Sequence, residues 1–192
     1  MYYLVAKDAV SIYVNATSPI KNLTINQLKS IFTCKITNLN QLGLGNGKIE
    51  LAIRDSDSGT RQFLKDLVMN NEKFCEIAKV FNTTEGIVEY ISENKSVIGF
   101  GGIGLAKGIK LISVDGVEPN VQNSKNDKYP LTRYLHFFTS RSSSGNVKKF
   151  IDWVLSTEGQ KIVKEEGFIP LWEINYWNTI FPKIFENKKD VP

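Results

Sequence analysis

The part of this sequence richest in chemistry is Arg54-Asp55-Ser56-Asp57-Ser58-Gly59-Thr60-Arg61, in which every residue is polar or glycine. Ahead of it, Ile49 to Ile53 is a short apolar strand. Behind it, Phe63, Leu64, Leu67 and Val68 recur at helical spacing. Strand, polar loop and helix entrance in that order expose unsatisfied N–H groups and a partial positive charge, and these favour an oxyanion. Ser58 and Thr60 add hydroxyl donors, Gly59 lets a ligand approach the backbone, and Arg54 brings a planar fork suited to phosphate or sulfate oxygens. The same spacing also fits a structural role, with Ser58 or Thr60 as a helix N-cap and Arg54 paired with Asp55 or Asp57. The two aspartates oppose an anion unless they point away or turn inward to hold Arg54 and the loop.

Other patterns carry less. Gly99-Phe100-Gly101-Gly102-Ile103-Gly104 satisfies the spacing of a dinucleotide loop after a strand. It leads into another β-rich run, however, with no acid about 20 residues on at the expected strand end, so a turn or crossover is expected there. Ser58 lacks the flanking glycines of a hydrolase elbow. His136 lies in the apolar run Leu135-His136-Phe137-Phe138 and reads as a core or interface histidine. One His and two isolated cysteines, Cys34 and Cys75, leave almost nothing for zinc, and no metal or cofactor is expected. The cysteines are expected to pack as free thiols, with a disulfide left open because it depends on geometry.

The elements that must position the loop alternate strand and helix, which indicates an α/β protein. Tyr3 to Val14 reads as strand. Thr24-Ile25-Asn26-Gln27 is a capping box opening a helix that buries Ile25, Leu28, Ile31 and Phe32. A helix is expected over about 71–80 and another from Thr83-Thr84 with Ile87, Val88 and Ile91 inward. Val97 to Phe100, Ile109 to Val114 and Tyr134 to Thr139 read as strands, and Glu118 to Lys128 as a loop. Ser142 to Asn146 leads to a helix with Val147, Phe150, Ile151, Val154 and Leu155 on its inner face. Thr157-Glu158-Gly159-Gln160 reads as a second capping box, for a helix to about Glu166. The apolar tail from Trp172 to Phe185 is expected to dock as a helix interrupted at Pro182.

Length and composition bound the possibilities. The 192 residues allow one domain or two small lobes, and 42% hydrophobic content with 11% aromatics is enough for a real core. With 24 bases and 20 acids interspersed, the net charge of +4 is too mild for a nucleic-acid partner. No apolar run approaches the ~20 residues of a membrane helix, and Met1 to Asp8 has neither the basic nor the apolar region of a secretion signal. The strand opens so abruptly that a preceding segment is expected.

The Arg54–Arg61 loop, with its setting, resembles the phosphate-binding proteins of phosphate ABC transporters. Asp8 to Asn15, Leu23 to Leu28 and Ile31 to Asn38 resemble that family's crossover strand, capped helix and following loop, where Gly is usual at the place of Cys34. Val97 to Phe100, Ser113 to Val117, Tyr129 to Arg133 and Glu158 to Val163 continue the likeness, which covers about residues 5–171. The resemblance implies a type II periplasmic-binding-protein fold with one complete lobe, residues 12–130, carrying the anion loop. Residues 1–11 and 131–192 would then be the crossover strand and the C-terminal part of an incomplete second lobe. It implies Arg54, Ser58, Gly59 and Thr60 as ligand contacts, inorganic phosphate or a similar oxyanion as ligand, and an ABC transporter permease as partner. It further implies a non-catalytic role and a place outside the cytoplasmic membrane.

The family's first-lobe segment, with its own Thr/Ser loop and anion-contacting acid, would lie before Tyr2. From this we expect an exposed apolar face on residues 134–167, covered by self-association or a partner. The alternative is a truncated or divergent relative, acting as a sensor or assembly module or binding sulfate- or molybdate-type anions.

Overall fold

In a computed structural model of the chain, residues 1–140 and 144–174 are described. They divide into two units, residues 1–7 with the described residues from 133 onward, and residues 8–132.

The 8–132 unit is built on a mixed sheet. Strand β1 (Tyr2–Val14) enters from the other unit and pairs antiparallel with β5 (Val97–Gly102) and β6 (Lys110–Val114). Strand β2 (Asn22–Leu23) lies parallel to β6. Strand β3 (Glu50–Arg54) lies parallel to both β5 and β4 (Lys79–Phe81), giving the order β2-β6-β1-β5-β3-β4. The central strands are apolar on both faces because helices cover both. Ile12, Val14, Leu51, Ile53, Ile98 and Phe100 join a core with Leu28, Ile31 and Phe32 of α1 (Ile25–Phe32) and Leu64 of α2 (Gly59–Leu67). The alternate residues Tyr13, Ala52 and Val97 pack with Ile87 and Ile91 of α3 (Thr84–Glu93).

The period of two explains the glycine pattern that mimics a nucleotide loop. Gly99 and Gly101 face α3 so closely that a Cβ would meet Ile87 Cγ2 at 2.7 Å and Thr84 Cγ2 at 2.4 Å, respectively. These glycines let a helix approach a strand. Gly101→Ala is expected to cost about 2–3 kcal/mol, because a Cβ there would overlap the Thr84 methyl and the hydrogen-bonded Tyr13 ring, neither of which is a flexible tip; urea denaturation measures it.

The box predicted at Thr24 is present: Gln27 N–H donates to Thr24 Oγ1 at 3.1 Å, and Thr24 N–H to Gln27 Oε1 at 2.8 Å. A second box, at Asn38, opens a short 3₁₀ helix at Leu39–Leu42 that the sequence reading passed over.

Three expectations are corrected. In place of the helix expected over 71–80, residues 71–78 are turns and irregular chain and 79–80 belong to β4; Asn70 and Asn71 adopt left-handed backbone (φ 49° and 62°), which a helix does not allow. The free thiols are a disulfide: Cys34 and Cys75 are joined with their Cα atoms 5.4 Å apart. Cys34 itself has φ 59°, the left-handed conformation that favours the glycine usual there in the resembling family. Glu72, paired with Lys29 at 2.7 Å and Lys35 at 3.1 Å, ties the same turn segment to α1 and its loop. Lastly, the expected loop at 118–128 contains α4 (Val121–Lys125), capped by Asn120 accepting from Asn123 N–H.

In the other unit, β7 (Thr132–Phe138) pairs with β1. Lys7 exchanges backbone hydrogen bonds with Ile169, each 2.9 Å. Helix α5 (Gly145–Leu155) buries Ile151 and Val154, whereas Val147, Phe150 and Trp153, at 54%, 55% and 47% exposure, lie at the surface. That corrects the wide inner face expected for this helix. Phe150 instead stacks between Phe137 and Trp153 in a surface row. Helix α6 (Thr157–Glu165) is capped by Ser156, not Thr157. Gln160 is buried and ties three segments together, donating to Val5 O and Val154 O and accepting from Leu171 N–H. Ser142 and Ser143, and the tail beyond Ile174 with Pro182, lie outside the described residues.

Candidate functional site

Parallel strands deliver their following loops to one edge of a sheet, and this places the site. β3 runs into the Arg54–Arg61 loop and α2, and its neighbour β4 runs into Asn82, Thr83 and α3. Arg54 is in register with Phe81, so the entrances of α2 and α3 open on the same edge. Ser58 caps α2 and Thr83 caps α3, each hydroxyl accepting a backbone N–H from the first turn.

Arg54, the last residue of β3, turns towards the second entrance. Its Nη2 donates to Asn82 O at 2.8 Å and its Nη1 to Thr84 Oγ1 at 3.2 Å. Its Nε is buried and has no hydrogen-bond partner among the described residues. An unpartnered buried N–H on a cation is costly, and an anion is the acceptor that relieves it. The side chain is 19% exposed, so the charge works in a partly desolvated setting.

Both aspartates have definite places. Asp55 Oδ1 stands 3.9 Å from Arg54 Nη2, a long ion pair, while Asp57 is exposed and accepts from Ser56 Oγ. The structural role allowed for this loop is therefore partly realised, since Ser58 is the N-cap and Arg54 is near Asp55. Donors nevertheless remain in the loop. Ser58 Oγ accepts from Arg61 N–H at 3.3 Å through a lone pair, which leaves its own proton to donate. Asp55 lies beyond hydrogen-bond distance and takes none of Arg54's donors. Gly59 is exposed, Thr60 half-buried, and a Cβ on Gly59 would meet no heavy atom within 4 Å, so packing does not demand glycine there.

Sequence reasoning missed the supports. Asn82 and Thr84 hold the guanidinium, Thr84 also packs on Gly101, and Tyr13 lies against Gly101 with its hydroxyl donating to Gly102 O. Burial, then the nearby Asp8 and Glu85, push the Tyr13 phenol well above its ordinary pKa, so it stays a donor. The available signal was the second cap, Thr83, after a strand adjacent to β3. Among the described residues no group of three or more His, Cys, Asp or Glu could hold a metal ion.

The model of the PBP superfamily domain matches residues 1–158. The chain belongs to the PBP superfamily. Within that superfamily it is PstS-like. It is 32% identical over 174 residues to the phosphate-binding protein PstS of Bacillus subtilis, covering 88% of this chain and 57% of that one. It is 30% identical over 190 residues to PstS of Pseudomonas aeruginosa, covering 87% and 59%. The chain thus spans less than three fifths of the length of these curated relatives. Among solved structures, an ABC-type phosphate transport receptor from Vibrio cholerae superposes with TM-score 0.79 at 30% identity, covering 88% of this chain and 72% of that one. A putative phosphate ABC transporter substrate-binding protein with bound phosphate, from Clostridium perfringens, superposes with TM-score 0.80 at 29% identity, covering 89% and 72%. The expected α/β, periplasmic-binding-protein-like fold is the one this superfamily shares.

Proposed function

We propose that this PBP-superfamily chain binds inorganic phosphate, or a similar tetrahedral oxyanion, and presents it to an ABC transporter permease without chemical change. The 8–132 unit is the anion-carrying lobe. Arg54 supplies the countercharge, Ser58 and Thr60 supply hydroxyl protons, and the backbone at Gly59 and Thr60 forms the floor. The observation that carries this reading is the Arg54 guanidinium, held by Asn82 O and Thr84 Oγ1 with Nε buried and without an acceptor among the described residues. The phosphate-binding relatives and the phosphate-bound neighbour support the choice of ligand.

A place outside the cytoplasm is supported by the Cys34–Cys75 disulfide, since such bonds persist in oxidising compartments. No helix among the described residues is long and apolar enough to cross a membrane.

Calorimetric and thermal-shift titrations with phosphate and sulfate test the proposal. A ligand that binds only the folded form raises the melting temperature, adding about 2.7 kcal/mol at a hundred times Kd. We expect that rise with phosphate. No heat and no shift with any tetrahedral oxyanion would reject it.

A second reading, an assembly module, is favoured by the exposed aromatics of the other unit: Tyr2, Phe138, Phe150 and Trp153. Sedimentation showing a concentration-independent monomer would count against that reading.

A further inference from the structure

We propose that Arg61 is a positioning residue for the oxyanion, fixing the Arg54–Thr60 loop without touching the ligand. This rests on the phosphate-binding reading above.

The loop has a mechanical problem. Residues 55–58 contain no apolar side chain, and Ser56 and Asp57 are exposed, so packing cannot hold them in place. Two backbone bonds help, from Asp55 N–H to Phe81 O at 3.1 Å and from Ser58 N–H to Asp55 O at 3.4 Å. Arg61 does more. Its Nη1 donates to the main-chain oxygen of Arg54 at 2.9 Å, seven residues back, and its own N–H donates to Ser58 Oγ at 3.3 Å. One residue thus closes the loop into a ring, tying the end of β3 to the first turn of α2.

The clamp has a firm anchor. The Arg61 guanidinium lies over the Phe74 ring, 5.1 Å from its centroid. Phe74 is buried, edge-on to Phe32 at 5.9 Å and stacked on Phe100 at 6.1 Å. The next residue, Cys75, is fixed by its disulfide to Cys34 and by donation from its N–H to Phe32 O at 2.8 Å.

Arg61 is distinguished from a ligand contact by where it faces. It lines a cavity of about 360 Å³ together with Ser56 of the loop and with Phe74, Cys75, Lys65 and Lys73, whereas the four proposed contacts Arg54, Ser58, Gly59 and Thr60 are not part of that lining. Displacements near 1 Å in a binding constellation are expensive, so a clamp of this kind acts on affinity through geometry.

The test uses Arg61→Met, whose unbranched stem still covers Phe74, and Arg61→Lys, which keeps a donor. Inorganic phosphate is titrated by calorimetry at one pH where the monoanion dominates and one where the dianion does. Arg61→Met should lose about tenfold in affinity, the worth of one fixed hydrogen bond. The loss should be equal for both phosphate species. Arg61→Lys should recover most of it, and the ligand-free melting temperature should fall by only a few degrees.

Affinity within twofold of wild type in Arg61→Met overturns the inference alone. A greater loss for the dianion overturns it in favour of direct contact. A loss that Lys does not rescue, and that follows a large fall in melting temperature, reduces Arg61 to a fold residue. Wild type that binds no phosphate overturns the functional reading, and this inference with it.

Discussion

Arg54→Ala should weaken phosphate binding by about 100-fold or more, the largest effect expected from any single substitution in this chain. Hydrogen bonds from a charged donor are each worth about 1.5–3 kcal/mol, and a partly buried anion deprived of its countercharge bears a desolvation cost as well. Arg54→Lys should recover only part of the loss. An ammonium on a flexible stem cannot hold Asn82 O and Thr84 Oγ1 and still direct a third donor at the ligand. The ligand-free protein should stay folded, because Arg54 lies at the edge of the sheet and not within either apolar cluster. Calorimetry on the two variants checks this. Equal phosphate affinity in wild type and Arg54→Ala would remove Arg54 from the site.

Loss of the disulfide should have the largest effect on stability. Cys34 and Cys75 are 41 residues apart. In the chain-entropy account, closing a loop of that length removes roughly 4 kcal/mol of freedom from the unfolded state. For a protein of this size that corresponds to about 10 °C in melting temperature, on reduction or in Cys34→Ser with Cys75→Ser. Cys34→Gly with Cys75→Ser should be the milder pair, because glycine adopts the left-handed backbone at position 34 at little steric cost. Calorimetric melting with and without reductant measures both effects. A reduced protein that melts with the oxidised one would show that the bond restrains nothing. Phosphate affinity should fall modestly in step, since the disulfide anchors the segment beneath Arg61.

The sequence made the helix entrances and the loop legible because capping and apolar periodicity are local: the Thr24 box, the cap at Ser58 and the helix after Thr83 are all written within a few residues. It hid whatever depends on partners distant in the chain. Residues 71–80 have enough apolar content to look helical, yet two left-handed asparagines and a covalent tie to Cys34 decide their path. Thr157 looked like a cap because Gln160 follows at the right spacing, but Gln160 is committed to Val5, Val154 and Leu171. Phe150 shares the helical spacing of the buried Ile151 and Val154, yet it stacks at the surface. At the proposed site, residue type and spacing single out Arg54, Ser58, Gly59 and Thr60 but fit a capping role as well, and it is the family resemblance that implies ligand contact. Asn82, Thr84 and Arg61 needed the sheet order, because their roles are hydrogen bonds to Arg54 made across strands or around a loop.

The central claim is that an oxyanion sits on the start of α2 beside Arg54. Amide NMR during a phosphate titration tests it most directly, since the backbone N–H groups proposed to face the ligand report on it themselves. The account predicts that the largest saturable shifts fall on Gly59 and Thr60, with the Arg54 side-chain Nε–H signal moving downfield in the same titration. Largest shifts elsewhere, for instance around Lys21 and Lys110, or no saturable shift at these amides, would contradict it.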